Sequence, residues 1–129
     1  MKIHHVGYLV KTMDKAISTF EKLGFTILKS TIFDEYRKIN ICFIQKDGYV
    51  LELVSPTSRE SIAYGLLKQY RNSPYHICYV SDDLDKDVVE LSSNGYVCID
   101  EPRFAPALEH KRVVFLMNSS IGLIELVEE

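Results

Sequence analysis

Two glutamates stand where an ionised side chain is costly. Glu52 lies in Tyr49-Val50-Leu51-Glu52-Leu53-Val54 and Glu125 in Leu123-Ile124-Glu125-Leu126-Val127, each in mid-run and flanked by aliphatic residues. A carboxylate among such neighbours needs a partner, or a metal, if it is buried. His5 and His76 sit inside short apolar runs of their own. Singly, a strand glutamate usually faces water and a strand histidine usually has an ordinary hydrogen-bonding role. As a set they offer two imidazoles and two carboxylates, the composition of a mononuclear divalent-metal site. Such donors suit Ni, Co or Zn first, with Mn or Fe(II) also compatible.

The set is a product of internal repetition. Sliding the chain along itself by 71 residues lays His5 on His76, Val6 on Ile77, Tyr8 on Tyr79 and Leu9 on Val80. The match continues through Met13-Asp14-Lys15 on Leu84-Asp85-Lys86, Ile17 on Val88, Phe20 on Leu91, Gly24 on Gly95 and Phe25 on Tyr96. Further on the offset becomes 73, placing Val50-Leu51-Glu52-Leu53-Val54 on Leu123-Ile124-Glu125-Leu126-Val127. Each copy therefore contributes one imidazole and one carboxylate, and neither holds a complete site. The expected organisation is a single domain, 1–129, of two modules, 1–56 and 74–129, joined by a connector, 57–73.

Each module reads β-α-β-β-β. The runs 3–10 and 75–81 are β-branched and aromatic, as strands are. Met13, Ile17, Phe20 and Leu23 recur at helical spacing before Gly24, and Leu84, Val88 and Leu91 do so before Gly95. Thr12 can cap the first helix, and Ser81, Asp82 or Asp83 the second. Strands are expected at 25–32, 37–45 and 49–55, with Lys46-Asp47-Gly48 as a hairpin turn, and at 96–100, 111–117 and 121–127. In the connector Ile62, Leu66, Leu67 and Tyr70 form one face of a short helix, capped by Ser58 or Ser61. The stretch 102–110, with two prolines, is expected to be the longest irregular loop.

Composition bounds the function. With 47% hydrophobic and 26% charged residues, 129 residues can bury a core, and the net charge of −3 has no basic block that would favour nucleic acid. No apolar run approaches a membrane span, and the first residues run straight into a strand, so a cytoplasmic protein is expected. Cys42, Cys78 and Cys98 form no CxxC pair and read as buried small hydrophobes. Asp83, Asp85 and Asp87 have the alternate spacing of a calcium loop, but Val88 stands where the turn glycine would be and Asn94 where the bidentate glutamate would be. Helix capping accounts for them better.

The chain resembles the vicinal oxygen chelate superfamily of glyoxalases, epimerases and ring-cleaving dioxygenases. The resemblance is carried by His4-His5-Val6-Gly7-Tyr8-Leu9-Val10, Leu51-Glu52-Leu53-Val54-Ser55-Pro56, Tyr75-His76-Ile77 and Gly122-Leu123-Ile124-Glu125-Leu126-Val127-Glu128. It implies an α+β fold in which two βαβββ modules form a curved mixed sheet around a central metal held by His5, Glu52, His76 and Glu125. It leaves His4, on the opposite face by strand alternation, as structural. A ligand at Glu52 speaks against ring-cleaving dioxygenases, fosfomycin-resistance enzymes and metal-free bleomycin-binding members.

Two relatives in that superfamily keep all four positions, glyoxalase I and methylmalonyl-CoA epimerase, and both remove a proton next to a carbonyl. By that analogy Glu125 is the candidate base and Glu52 its counterpart. Four protein ligands leave two cis positions of an octahedron for two substrate oxygens. Phe104-Ala105-Pro106-Ala107-Leu108-Glu109-His110 departs from the Gly- and His-containing segment of epimerases. The sequence reading therefore favours a glyoxalase I-like lyase acting on the hemithioacetal of a 2-oxoaldehyde. An epimerase acting on an acyl-CoA, or a metal-free small-ligand-binding protein, stands as the alternative. Arg37, Lys38, Lys111 and Arg112 are candidates to meet substrate anions. A homodimer is expected, and whether the modules pair within one chain or across the dimer stays open.

Overall fold

The computed structural model describes all residues, Met1–Glu129. The chain divides into two compact units, one comprising His5–Tyr75 and the other His76–Glu129 together with Met1–His4. Both are α+β, each with parallel and antiparallel strand pairs, and no helix is long and apolar enough to cross a membrane.

The first unit runs β1 (Ile3–Leu9, from His5 onward), α1 (Met13–Lys22), β2 (Thr26–Asp34), β3 (Ile39–Lys46), β4 (Tyr49–Pro56) and α2 (Ile62–Tyr70). Its strands lie in the order β2-β3-β4-β1, with β1 parallel to β4 and the other pairs antiparallel. The second unit runs β5 (Ser73–Ser81, from His76 onward), α3 (Leu84–Ser92), β6 (Val97–Cys98), β7 (Arg103–Ala105), β8 (Lys111–Asn118) and β9 (Gly122–Glu128). Here β5 is parallel to β9, β9 is antiparallel to β8, and β8 carries both β6 and β7.

The repetition in the sequence is realised as two cores built from matching positions. Val10, Met13, Cys42, Ile44 and Leu53 pack with Tyr8, Ile17, Phe20, Phe25 and Leu51 in the first unit. Leu84, Val114, Leu116, Ile124 and Leu126 pack with Tyr79, Val88, Leu91 and Tyr96 in the second. Each core fills the space between a helix and one sheet face. Strand alternation then turns the intervening residues, His5, Phe43 and Glu52 or His76, Phe115 and Glu125, to the other face.

Both helices stop in the same way. Gly24 (φ +98°) and Gly95 (φ +90°) adopt the left-handed conformation that glycine tolerates. The next amide donates back across the turn, Phe25 N to Phe20 O and Tyr96 N to Leu91 O, each at 3.2 Å.

The structure corrects several local expectations. Leu23 lies past the end of α1 and is exposed, so the buried stripe ends at Phe20. Thr12 occupies the N-cap position but makes no side-chain cap, whereas Asp83 caps α3 through Lys86 N at 3.1 Å and Ser61 caps α2 through Ala63 N at 3.2 Å. On α2 it is Ala63 that is buried, while Ile62 and Tyr70 are exposed. Cys42 and Cys78 are buried but Cys98, on the two-residue β6, is only half-buried. Burial pushes the Cys42 thiol up, out of the reactive range.

The stretch 102–110 is ordered in two pieces. β7 pairs with β8, and Pro106–Leu108 form a 3₁₀ turn that buries Ala107 and Leu108 before Glu109 and His110 reverse the chain at positive φ. Pro106 is compatible because it stands at the start of that turn, where a missing amide N–H leaves no hydrogen bond unmade.

Candidate functional site

Each unit presents one buried His–Glu pair on the sheet face away from its helix. In the first, β1 carries His5 and β4 carries Glu52, with Gly7, two residues beyond His5, directly beside Glu52. His5 and Glu52 are only 1% and 4% exposed, and Nε2 stands 3.5 Å from Oε1. In the second, His76 on β5 and Glu125 on β9 are 4% and 3% exposed, with Nε2 3.3 Å from Oε1. His4 is exposed, as alternation requires.

These separations suit donors converging on one ion. Atoms about 2.1 Å from a common metal stand about 3.0 Å apart at a right angle and about 3.4 Å apart at the tetrahedral angle. A buried carboxylate beside an imidazole, with aliphatic neighbours on its own strand, is also the environment in which a divalent cation offsets desolvation. The chemistry and spacing of each pair therefore fit a divalent metal.

Sequence reading missed a third member of each pair. Phe43 on β3 lies directly opposite Glu52, and Phe115 on β8 directly opposite Glu125. Each ring meets its unit's histidine edge to face, Phe43 with His5 at 5.3 Å and 79°, and Phe115 with His76 at 5.0 Å and 89° between centroids and planes. The favoured aromatic geometry holds the imidazole plane and keeps water from its flank. The signal was present as an aromatic at matching places in the two copies.

Of the candidate substrate-binding cations, Arg37, Lys38 and Arg112 each pair with an acid. Arg37 donates to the buried Asp34 at 2.8 Å through its guanidinium and at 2.9 Å through its backbone N–H, closing the turn between β2 and β3. Lys38 pairs with Glu60, which lowers the Glu60 pKa. Lys111 is half-buried at the start of β8. Arg112 bridges Glu128 on β9 at 2.8 Å and Asp85 on α3 at 3.2 Å. Asp85 thus serves an ion pair, and Asp87 accepts from Ser81 at 2.5 Å, so the acids that mimic a calcium loop have structural partners.

The Arg112 bridge gives a pH prediction. Hydrogen bonding from Arg112 holds the Glu128 carboxyl below the usual carboxylate range. A depressed folded pKa contributes stability that is present above the ordinary glutamate pKa and lost as pH falls through the depressed value. Arg112→Met should therefore lower the melting temperature slightly at neutral pH and low salt. The difference from the parent should shrink in high salt, because the pair is partly open to solvent, and vanish in acid. Equal loss across a pH series of thermal melts would show that Arg112 acts through packing alone.

The comparisons with known proteins agree with this architecture. The uncharacterized protein YqjC of Bacillus subtilis is 27% identical over 98% of this chain and 91% of its own length. Mitochondrial methylmalonyl-CoA epimerase of Homo sapiens is 25% identical over 97% of this chain and 72% of its own. A Streptomyces coelicolor methylmalonyl-CoA epimerase variant, solved with 2-nitronate-propionyl-CoA, superposes with a TM-score of 0.86 at 24% identity, covering 100% of this chain and 94% of that one. Residues 4–115 match the family described as Glyoxalase/Bleomycin resistance protein/Dioxygenase superfamily. The chain belongs to that superfamily, the vicinal oxygen chelate proteins.

Proposed function

We propose that the two His–Glu pairs serve one divalent metal and that the protein is an isomerase removing a proton from carbon next to a carbonyl, with an acyl thioester of the malonyl type as substrate. The observation that carries this reading is the duplicated pair itself: two imidazoles and two carboxylates, all buried, each carboxylate within 3.5 Å of its imidazole. The choice of an acyl thioester over a hemithioacetal is supported by relatives that are named methylmalonyl-CoA epimerases.

The chemistry explains why such a site is needed. A proton next to a carbonyl is too weakly acidic for a carboxylate in water. A bound divalent ion would supply positive charge where the oxyanion develops. His5 and His76 would hold that ion as neutral imidazoles, oriented by Phe43 and Phe115. Glu125 is assigned as the base that takes the proton, and Glu52 as its counterpart. The buried setting of both keeps water from competing for the proton.

A second reading, the glyoxalase I-like one, is favoured by the segment 104–110, whose short strand and 3₁₀ turn are built on a sequence unlike that of epimerases. One experiment separates these readings. Purified protein is analysed for metal, then assayed with each divalent ion for solvent-deuterium exchange into methylmalonyl-CoA and for conversion of methylglyoxal with thiols. Stoichiometric metal with exchange into the acyl-CoA is expected. Turnover of the hemithioacetal alone would select the glyoxalase reading, and a protein with no affinity for metal would leave a small-ligand-binding role.

A further inference from the structure

The two halves of the proposed site differ in one charge. In the first unit the row Phe43–Glu52 continues outward to Lys29, which pairs directly with Phe43 across β2 and β3. Its Nζ stands 5.6 Å from the centre of the Phe43 ring, the ring that also meets His5. In the second unit the residue across from Phe115 is the uncharged Ile99, whose backbone N–H donates to Phe115 O at 2.9 Å. The acids that follow, Asp100 and Glu101, turn to Arg103, at 2.9 and 3.3 Å.

Lys29 is placed there by an irregular strand. The β2–β3 register slips between Ile27 and Lys29 and again between Lys29 and Ile32. Shifts of this kind re-aim a side chain. The burial along β2 is the reverse of what polarity alone would give: Ile27, Leu28, Ile32 and Phe33 are exposed, while Lys29 is half-buried. A lysine that merely kept β2 soluble would stand in water like its neighbours. An ammonium over an aromatic face, in line with a His–Glu pair, is a cation kept in a partly dehydrated place, where it attracts an anion more strongly than in bulk water.

We infer that Lys29 is a specificity-determining residue that receives the free carboxylate of the substrate's acyl group. This deepens the isomerase reading and rests on it for the thioester, though not for the carboxylate. The charge makes the two glutamates inequivalent, since Glu52 has this lysine in its own row and Glu125 has the uncharged Ile99 at the matching place.

The test uses the metal-loaded full chain with malonate, acetate and inorganic phosphate as probes in calorimetric titrations, comparing the parent with Lys29→Met and Lys29→Arg. Lys29→Met should weaken malonate binding about tenfold or more, the size of one lost charge-assisted contact. Acetate binding and metal content should stay within about twofold, and Lys29→Arg should restore most of the malonate affinity. With a malonyl-type thioester, Lys29→Met should raise KM while kcat stays within a few-fold. Any of the following would overturn the assignment: malonate affinity unchanged in Lys29→Met, malonate and acetate weakened equally, phosphate affected in place of malonate, or a parent protein that does not bind malonate. A parent that binds malonate through Lys29 but turns over no acyl thioester would remove the isomerase reading and leave the carboxylate site standing.

Discussion

His5→Ala and His76→Ala are each expected to release the metal and abolish turnover, while His4→Ala leaves both nearly unchanged. Loss of a residue that merely supports a ligand commonly costs 10–100-fold in metal affinity, so loss of a ligand itself should exceed about 100-fold. The contrast among three histidines so close in type is set by side-chain direction. His5 and His76 are buried against Phe43 and Phe115, whereas His4 is exposed. Removing either buried imidazole also takes a polar neighbour from a buried glutamate, which is destabilising while the carboxylate stays ionised. His5→Gln and His76→Gln, which fill more of the space, should accompany the alanine variants. Metal content after dialysis and thermal melts with and without metal read the result. Metal lost from the His4 variant and kept by the His5 variant would show that the wrong face of β1 had been chosen.

Glu125→Gln should be the most damaging conservative change to catalysis. The amide keeps the size of the side chain and an oxygen that can remain a weak ligand, but it cannot accept a proton. General base catalysis is worth about 10²–10⁴ in rate, and a deficit of that order should persist after metal is restored to full occupancy. Glu52→Gln should cost less if the proton is presented only to the second unit, and about as much if the site works symmetrically. Comparing the two variants in a solvent-deuterium exchange assay decides between these. Full exchange into product by metal-replete Glu125→Gln would remove Glu125 as the obligatory base and turn attention to Glu52 and Glu109.

Much of this was legible in the sequence because repetition leaves a measurable offset and strand parity is strict over short distances. His5 and Glu52, and His76 and Glu125, could be paired on paper since each occupies the same parity in a run whose alternate residues are apolar. The α+β class followed from the β-α-β-β-β grammar of each copy. Other features depended on contacts that no local rule encodes. Arg112 finds Asp85 and Glu128, 27 and 16 positions away, so its surface spacing could not reveal that it is engaged. Phe43 and Phe115 looked like ordinary core aromatics because periodicity says which face a residue takes and not what it meets there. Lys29 was hidden by the two register slips, which break the parity rule that exposed the glutamates. The ordered 3₁₀ turn at Pro106–Leu108 is held by the burial of Ala107 and Leu108, a tertiary gain that two prolines and a missing strand pattern obscure.

The slips in β2 have a consequence of another kind. β2 is the outer strand of its sheet, nine residues long, and carries Ile27, Leu28, Ile32 and Phe33 in water. A straight strand of that composition would present an unbroken ladder of amides and carbonyls on which another chain could grow, the usual first step toward fibrils. Two interruptions five residues apart at most, with a lysine between them, leave no segment of the strand long and regular enough to act as a template. The irregularity that aims Lys29 therefore also protects this edge against open-ended strand addition, and straightening β2 to improve its pairing would be expected to trade a more regular sheet for a tendency to aggregate.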